Sequence, residues 1–166
     1  MAAIPAAEAG GADVAKFLDL IAWSEGTSDS PVTRDDGYDV VVTGIDGPEI
    51  FTDFSDHPFA KGRPSVVVRR EPLLTSTAAG RYQLMLRWWR AYQEMLGLKD
   101  FSPLSQDKVA LRQMKERHAI AAVLAGDIAE AIMDCSNIWA SFPGNDYAQA
   151  GGKTLEDLMA QWGKLP

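Results

Sequence analysis

The stretch FLDLIAWSEGTSDS, residues 17–30, decides how the rest of the chain is read. Val14, Phe17, Leu18 and Ile21 fall at i, i+3, i+4 and i+7, which is one apolar stripe of a helix over residues 13–25. Asp13 stands where a cap belongs, and Gly26 is a natural stop. Glu25 follows Ile21 by four residues and Leu18 by seven, so it projects onto the same apolar face. Burial and the negative end of the helix dipole both disfavour the ionised carboxylate and push its pKa upward. An acid still protonated near neutral pH works as a general acid. Spacing alone leaves a second reading open and ahead of the first: a glutamate at a frayed helix end, turned to solvent.

Downstream the period changes. Residues 38–43 and 49–54 are rich in Val, Tyr, Phe and Thr and flank GIDGP, which predicts a hairpin. Residues 57–79 hold three prolines and several charges and read as loop, with a short strand at Val66–Val68. The remainder is helical in pattern. RYQLMLRWWRAYQEML, 81–96, places Tyr82, Met85, Trp89, Tyr92 and Leu96 on one side and ends at Gly97. Further helices are predicted from a Ser105 cap, over AIAAVLAG up to Gly126, from an Asp127 cap over 127–142, and over Thr154–Trp162. One hairpin among many helices gives an α+β domain dominated by helix.

The 166 residues suit one domain with one sizeable core, and 46% hydrophobic with 23% charged residues is ordinary for a globular chain. No run approaches the apolar length of a membrane helix. The start, MAAIPAAEAGG, has no basic region and carries Glu8, so no secretory signal is expected, and residues 1–11 read as a flexible leader before a single domain over 12–166. A net charge of −7 argues against nucleic acid as partner. Cys135 is the one cysteine, which fits a reducing compartment, and its apolar helical setting reads as a buried structural thiol. His57 and His118 lie far apart, so no zinc pattern exists, and no Walker or Rossmann glycine pattern is present. Neither metal nor cofactor is expected.

A second cluster is STAAGRYQLM, residues 76–85. Small residues and Gly80 permit close approach of the backbone, while Arg81, Tyr82 and Gln83 supply donors and an aromatic face. That mixture suits a sugar pocket, although composition alone favours an ordinary helix start.

Taken together, FLDLIAWSEGT, GYDVVVTG, FTDFSDHP, TSTAAGRYQLMLRWWRAY, LGLKDFSPLSQDKVAL and CSNIWASFPGNDYAQ resemble the bacteriophage lambda endolysin family, phage lysozymes that act as lytic transglycosylases. The six segments keep the family's order from about residue 17 to 149. The resemblance implies a lysozyme-like fold, α+β and mainly α, with a small hairpin region flanking a substrate cleft. It implies cleavage of the β-1,4 bond between N-acetylmuramic acid and N-acetylglucosamine in peptidoglycan, leaving a 1,6-anhydro end. Glu25 matches the family's catalytic glutamate, and Ser76, Thr77, Tyr82, Gln83 and Tyr147 match its glycan-binding positions. With no signal segment, synthesis and folding in the host cytoplasm are expected, with release to the periplasmic wall by a separate holin; a monomer without stable membrane association is the default expectation.

Two matters stay open. Asp39, Asp53 or Asp56 can be offered as a second carboxylate for a hydrolytic muramidase, and a non-catalytic glycan-binding module is a third possibility. The leader and the stretches GIDGPEI and FAKGRPSVVVRRE depart from the lambda-type pattern. The local cluster of Lys61, Arg63, Arg69 and Arg70 is expected to attract an anionic substrate despite the net charge.

Overall fold

A computed structural model describes residues 1–145 and 152–166. The chain forms two compact units, residues 1–25 with 110–166, and residues 26–109.

The first unit is helical. Helix α1 (Ala6–Ala9) precedes α2 (Ala12–Ser24), and the unit continues with the second half of α4 (Pro103–Glu116), then α5 (Ala119–Leu124), α6 (Ile128–Cys135) and α7 (Leu155–Trp162). The predicted stripe of α2 is its buried face: Val14, Phe17, Leu18 and Ile21 are inaccessible to solvent. Gly11 rather than Asp13 occupies the N-cap, and Asp13 sits in the first turn, where its charge suits the helix dipole. Residues 1–11, expected as a flexible leader, instead carry α1, bury Ile4 and Ala9, and donate Ala2 N–H to Asp19 Oδ1 at 2.7 Å. Asp127 caps α6 by accepting from Glu130 N–H, and Thr154 and Asp157 form a reciprocal capping box on α7. Helix α6 ends at Cys135, short of the predicted Phe142. Cys135 is fully buried, and burial pushes its thiol up to about 12.

The second unit holds both sheets, α3 (Leu86–Leu96) and the first half of α4. The predicted hairpin is β1 (Val40–Gly44) with β2 (Gly47–Ile50). It extends through β5 (Ala78–Ala79) and β6 (Leu84–Met85) into an antiparallel sheet of order β2-β1-β5-β6. The short strand expected at Val66–Val68 is β3 (Val66–Arg69), and the region otherwise read as loop pairs it with β4 (Leu74–Ser76) in a second hairpin. The helix predicted from Arg81 starts only at Leu86, because residues 80–83 are a turn joining β5 to β6. Gly80 has φ +79°, and Gln83 takes φ +49°, which is uncommon outside glycine. The core gathers Val41, Phe51, Phe59, Ala79, Leu84, Trp89, Tyr92, Phe101 and Val109. Trp89 is inside while its neighbour Trp88 is half exposed, as adjacent residues on one helix must be.

Two side chains of α4 tie this unit to its turns. Asp107 Oδ1 accepts from the phenols of Tyr38 and Tyr82 at 2.7 and 2.6 Å, all three residues being buried. Gln106 Oε1 accepts from Arg81 N–H at 2.9 Å, and its Nε2 donates to the carbonyls of Tyr38 and Phe101 at 3.1 and 2.9 Å. A Cβ on Gly80 would collide with the Gln106 amide. The Ser105 hydroxyl, expected as the cap, instead donates to Asp100 Oδ1, and Ser102 Oγ accepts from Ser105 N–H.

Candidate active site

Helix α2 delivers Glu25 as its C-cap, with Glu25 N–H still bonded to Ile21 O at 2.9 Å. Gly26 follows at φ +69° and turns the chain out of the helix. Glu25 is half-buried. Its Oε1 accepts a 2.6 Å hydrogen bond from the Ser141 hydroxyl, and Ser24 Oγ lies 2.8 Å from Ser141 Oγ. Burial raises the carboxyl to about 6, against the opposing pull of Ser141, which binds it through both side chain and backbone. The reading of a glutamate turned out to water therefore fails on geometry. An acid of this kind is about half protonated near pH 6 and can both give and take a proton there.

Ser141 is a residue that sequence reasoning missed. It lies 116 positions from Glu25, and no local pattern marks it. Its carbonyl accepts from Lys153 N–H at 3.0 Å, and the Lys153 ammonium stands 4.6 Å from the centre of the Trp23 ring.

The second predicted cluster belongs to the other unit. Ser76 ends β4, and its hydroxyl accepts from Ala78 N–H at 3.1 Å. Thr77 Oγ1 accepts from Leu86 N–H at 3.2 Å, at the start of α3. Gln83 is partly exposed, with Nε2 donating to Gly80 O at 3.0 Å. Tyr82 is buried, its ring edge-on to Tyr38 and its phenol committed to Asp107, so it faces inward. Tyr147 lies outside the described residues.

The aspartates offered as a second carboxylate all have structural partners. Asp39 is buried and accepts from the Thr33 hydroxyl and Arg34 N–H. Asp53 is exposed, and hydrogen bonds from Ser55 and Lys61 hold its carboxyl well below the usual range. Asp56 accepts from the Trp89 indole, His57 N–H and Arg90. The basic cluster is partly neutralised within itself, since Lys61 pairs with Asp53 and Arg63 with Glu49. His57 is buried, with Nε2 2.8 Å from Leu84 O, and burial lowers its pKa to about 4. Among the described residues no group of three His, Cys, Asp or Glu side chains is placed to hold a metal ion.

Residues 15–165 match the endolysin family. The endolysin of Escherichia phage P2 is 52% identical over 151 residues, covering 90% of each chain. That of Escherichia phage lambda is 57% identical over 147 residues, covering 88% of this chain and 86% of its own. Among solved structures, bacteriophage lambda lysozyme in complex with a chitohexasaccharide superposes with a TM-score of 0.82 at 48% identity, covering 99% of this chain and 96% of that one. A second structure of lysozyme from bacteriophage lambda gives 0.76 at 49% identity over 90% of each chain. The α+β, mainly helical fold is thus lysozyme-like. With a half-buried acid of raised pKa at the end of its first long helix, the chain belongs to the endolysin family.

Proposed function

We propose that this endolysin cleaves the β-1,4 bond between N-acetylmuramic acid and N-acetylglucosamine of peptidoglycan by lytic transglycosylation, with Glu25 as acid and then base. Glu25 gives its proton to the departing glycosidic oxygen as the bond to the muramic anomeric carbon breaks. The muramic 6-hydroxyl oxygen bonds to that carbon, and its proton returns to the Glu25 carboxylate. The product is a 1,6-anhydro end, water is not consumed, and the enzyme is regenerated.

The observation that supports this reading is the half-buried carboxyl of Glu25, raised by burial to about 6 and held by the Ser141 hydroxyl, which suits one group to give a proton and then take one back. The hydroxyls of Ser76 and Thr77 and the amide of Gln83 are suited to sugar hydroxyls and are proposed as glycan contacts, together with Tyr147. Tyr82 serves them by supporting the turn. The complex of bacteriophage lambda lysozyme with a chitohexasaccharide supports a β-1,4-linked amino-sugar strand as ligand. Among the described residues no helix is long and apolar enough to cross a membrane. The endolysin is further proposed to be a monomer that accumulates in the host cytoplasm and reaches the periplasmic wall through a separate holin.

Mass spectrometry of fragments released from purified peptidoglycan tests the reaction. The expected fragments end in 1,6-anhydromuramic acid, lighter by one water than the reducing ends of a hydrolase; reducing ends alone would make the protein a muramidase. A pH profile tests the acid. Because Glu25 must enter protonated and titrates at about 6, kcat/KM is expected to fall about tenfold per pH unit above that point. A profile flat from pH 6 to 8 would remove Glu25 from the role.

A further inference from the structure

The carboxyl of Glu25 hangs from the last position of a helix, where a side chain has more freedom than inside one. What restrains it comes from a distant segment. We propose that Ser141, backed by Ser24, is a positioning residue for the Glu25 reaction: its hydroxyl holds Oε1 and leaves Oε2 to present the transferable proton.

The inference rests on Glu25 being the acid of the proposed reaction, and its own support is geometric. The 2.6 Å separation between Ser141 Oγ and Oε1 is that of a charge-assisted O–H···O bond. Ser141 has a single hydroxyl proton. When that proton is directed at Glu25, the 2.8 Å contact with Ser24 requires the Ser24 hydroxyl to donate into Ser141. Ser24 thereby fixes the sense of the chain, and donation into a donor strengthens it. Both serines are buried, at 6% exposure each, so water does not compete for these bonds.

The backbone of Ser141 is fixed as well. Its carbonyl takes the Lys153 N–H. The next residue, Phe142, is buried and packs edge-on against Phe17 of α2, the ring centres 6.2 Å apart. The helix that carries the acid therefore also anchors the residue that grips it. Charged side chains on the surrounding elements turn to other partners. Lys16 stacks on Trp162 and Asp19 accepts from Ala2. Asp127 and Asp157 cap α6 and α7, and Lys153 stacks on Trp23. Among the described residues, Ser141 supplies the hydrogen bonds that oppose the upward push of burial on the acid, and its hydroxyl orients Oε1.

Ser141→Ala in the full chain tests this, with the Glu25 side-chain carboxyl followed by ¹³C NMR titration and kcat and KM measured on purified peptidoglycan. Losing a hydrogen bond to the charged form is expected to raise the Glu25 pKa by about one unit. The descending limb of the pH profile should move with it. Because the serine is proposed to act through the acid, kcat should drop about tenfold while KM stays within about twofold. Ser24→Ala should raise the pKa in the same direction by a smaller amount, about 0.3–0.5 unit. An unchanged Glu25 pKa in Ser141→Ala overturns the proposal. If that variant does not fold, an unchanged pKa in Ser24→Ala does so. Glu25→Gln that still cleaved the wall would defeat the reaction scheme itself, while the NMR comparison would still report on the contact.

Discussion

Glu25→Gln ends wall cleavage and yields a protein that is harder to unfold at neutral pH. The first half follows from chemistry. A glutamine amide has no proton acidic enough to give a departing glycosidic oxygen, and general acid–base contributions run to about 10²–10⁴-fold. Ser141 can still donate to the amide oxygen, so the shape of the site is kept and binding to cell walls should survive. The second half follows from linkage. Burial raises the carboxyl from its ordinary 4.5 to about 6, so the folded state holds this proton more tightly than the unfolded one. The stabilisation it brings is complete below pH 4.5 and is lost as pH rises through 6. Above that range the ionised acid costs the fold on the order of 2 kcal/mol. Glutamine carries no such charge. The expected result is a Tm several degrees above wild type at pH 7.5, the gain shrinking toward pH 4.5. Lysis by the variant would count against the mechanism, and a lower Tm at pH 7.5 against the buried-acid account.

The largest structural effect is expected at Asp107. Two buried phenols end on the same oxygen of this residue. Burial, together with the negative charge of Asp107, holds Tyr82 well above the ordinary phenol range, so it remains a donor. Asp107→Ala leaves both phenols without this acceptor in a region that excludes water, a loss of about 2–4 kcal/mol. Urea unfolding should show a lower midpoint at unchanged slope. Asp107→Asn keeps one carbonyl oxygen for the phenols and should lose about half as much. If Asp107→Ala matched wild type in urea, the two phenols would have to be satisfied elsewhere. The turn over residues 80–83, and with it Gln83, rests on this contact, so glycan binding should weaken along with stability.

What the sequence made legible was local. The stripe of α2, its glycine stop and the upward push on Glu25 all depend on residues within two turns of one another. The cap at Asp127 was readable for the same reason. The misreadings began where distant contacts overrule spacing. Tyr82 and Met85 keep helical register with Trp89 and Tyr92, yet Gly80 and Gln83 adopt left-handed backbone that sends the chain back on itself as β5 and β6. Tyr82 can then serve Asp107 instead of continuing a helix. Of the β3–β4 hairpin only the Val66–Val68 run was legible; β4 is three residues without clear alternation, and its pairing is interrupted by a register shift. At the site, Glu25 could be singled out because its own helix betrays it. Ser141 could not, since nothing in CSNIWASF distinguishes its serine from Ser136 until the chain is folded.

The buried amide of Gln106 carries a genetic consequence. Glutamine and glutamate codons differ by a single nucleotide, so the same exchange is offered by mutation at both ends of this molecule's chemistry, in opposite directions. At position 106 a glutamate would replace the Nε2 donor with an oxygen facing the carbonyls of Tyr38 and Phe101, and such lineages would be lost through misfolding. At position 25 a glutamine would give a sturdier protein that leaves the wall uncut. Selection on lysis removes both, one for want of a fold and the other in spite of a better one.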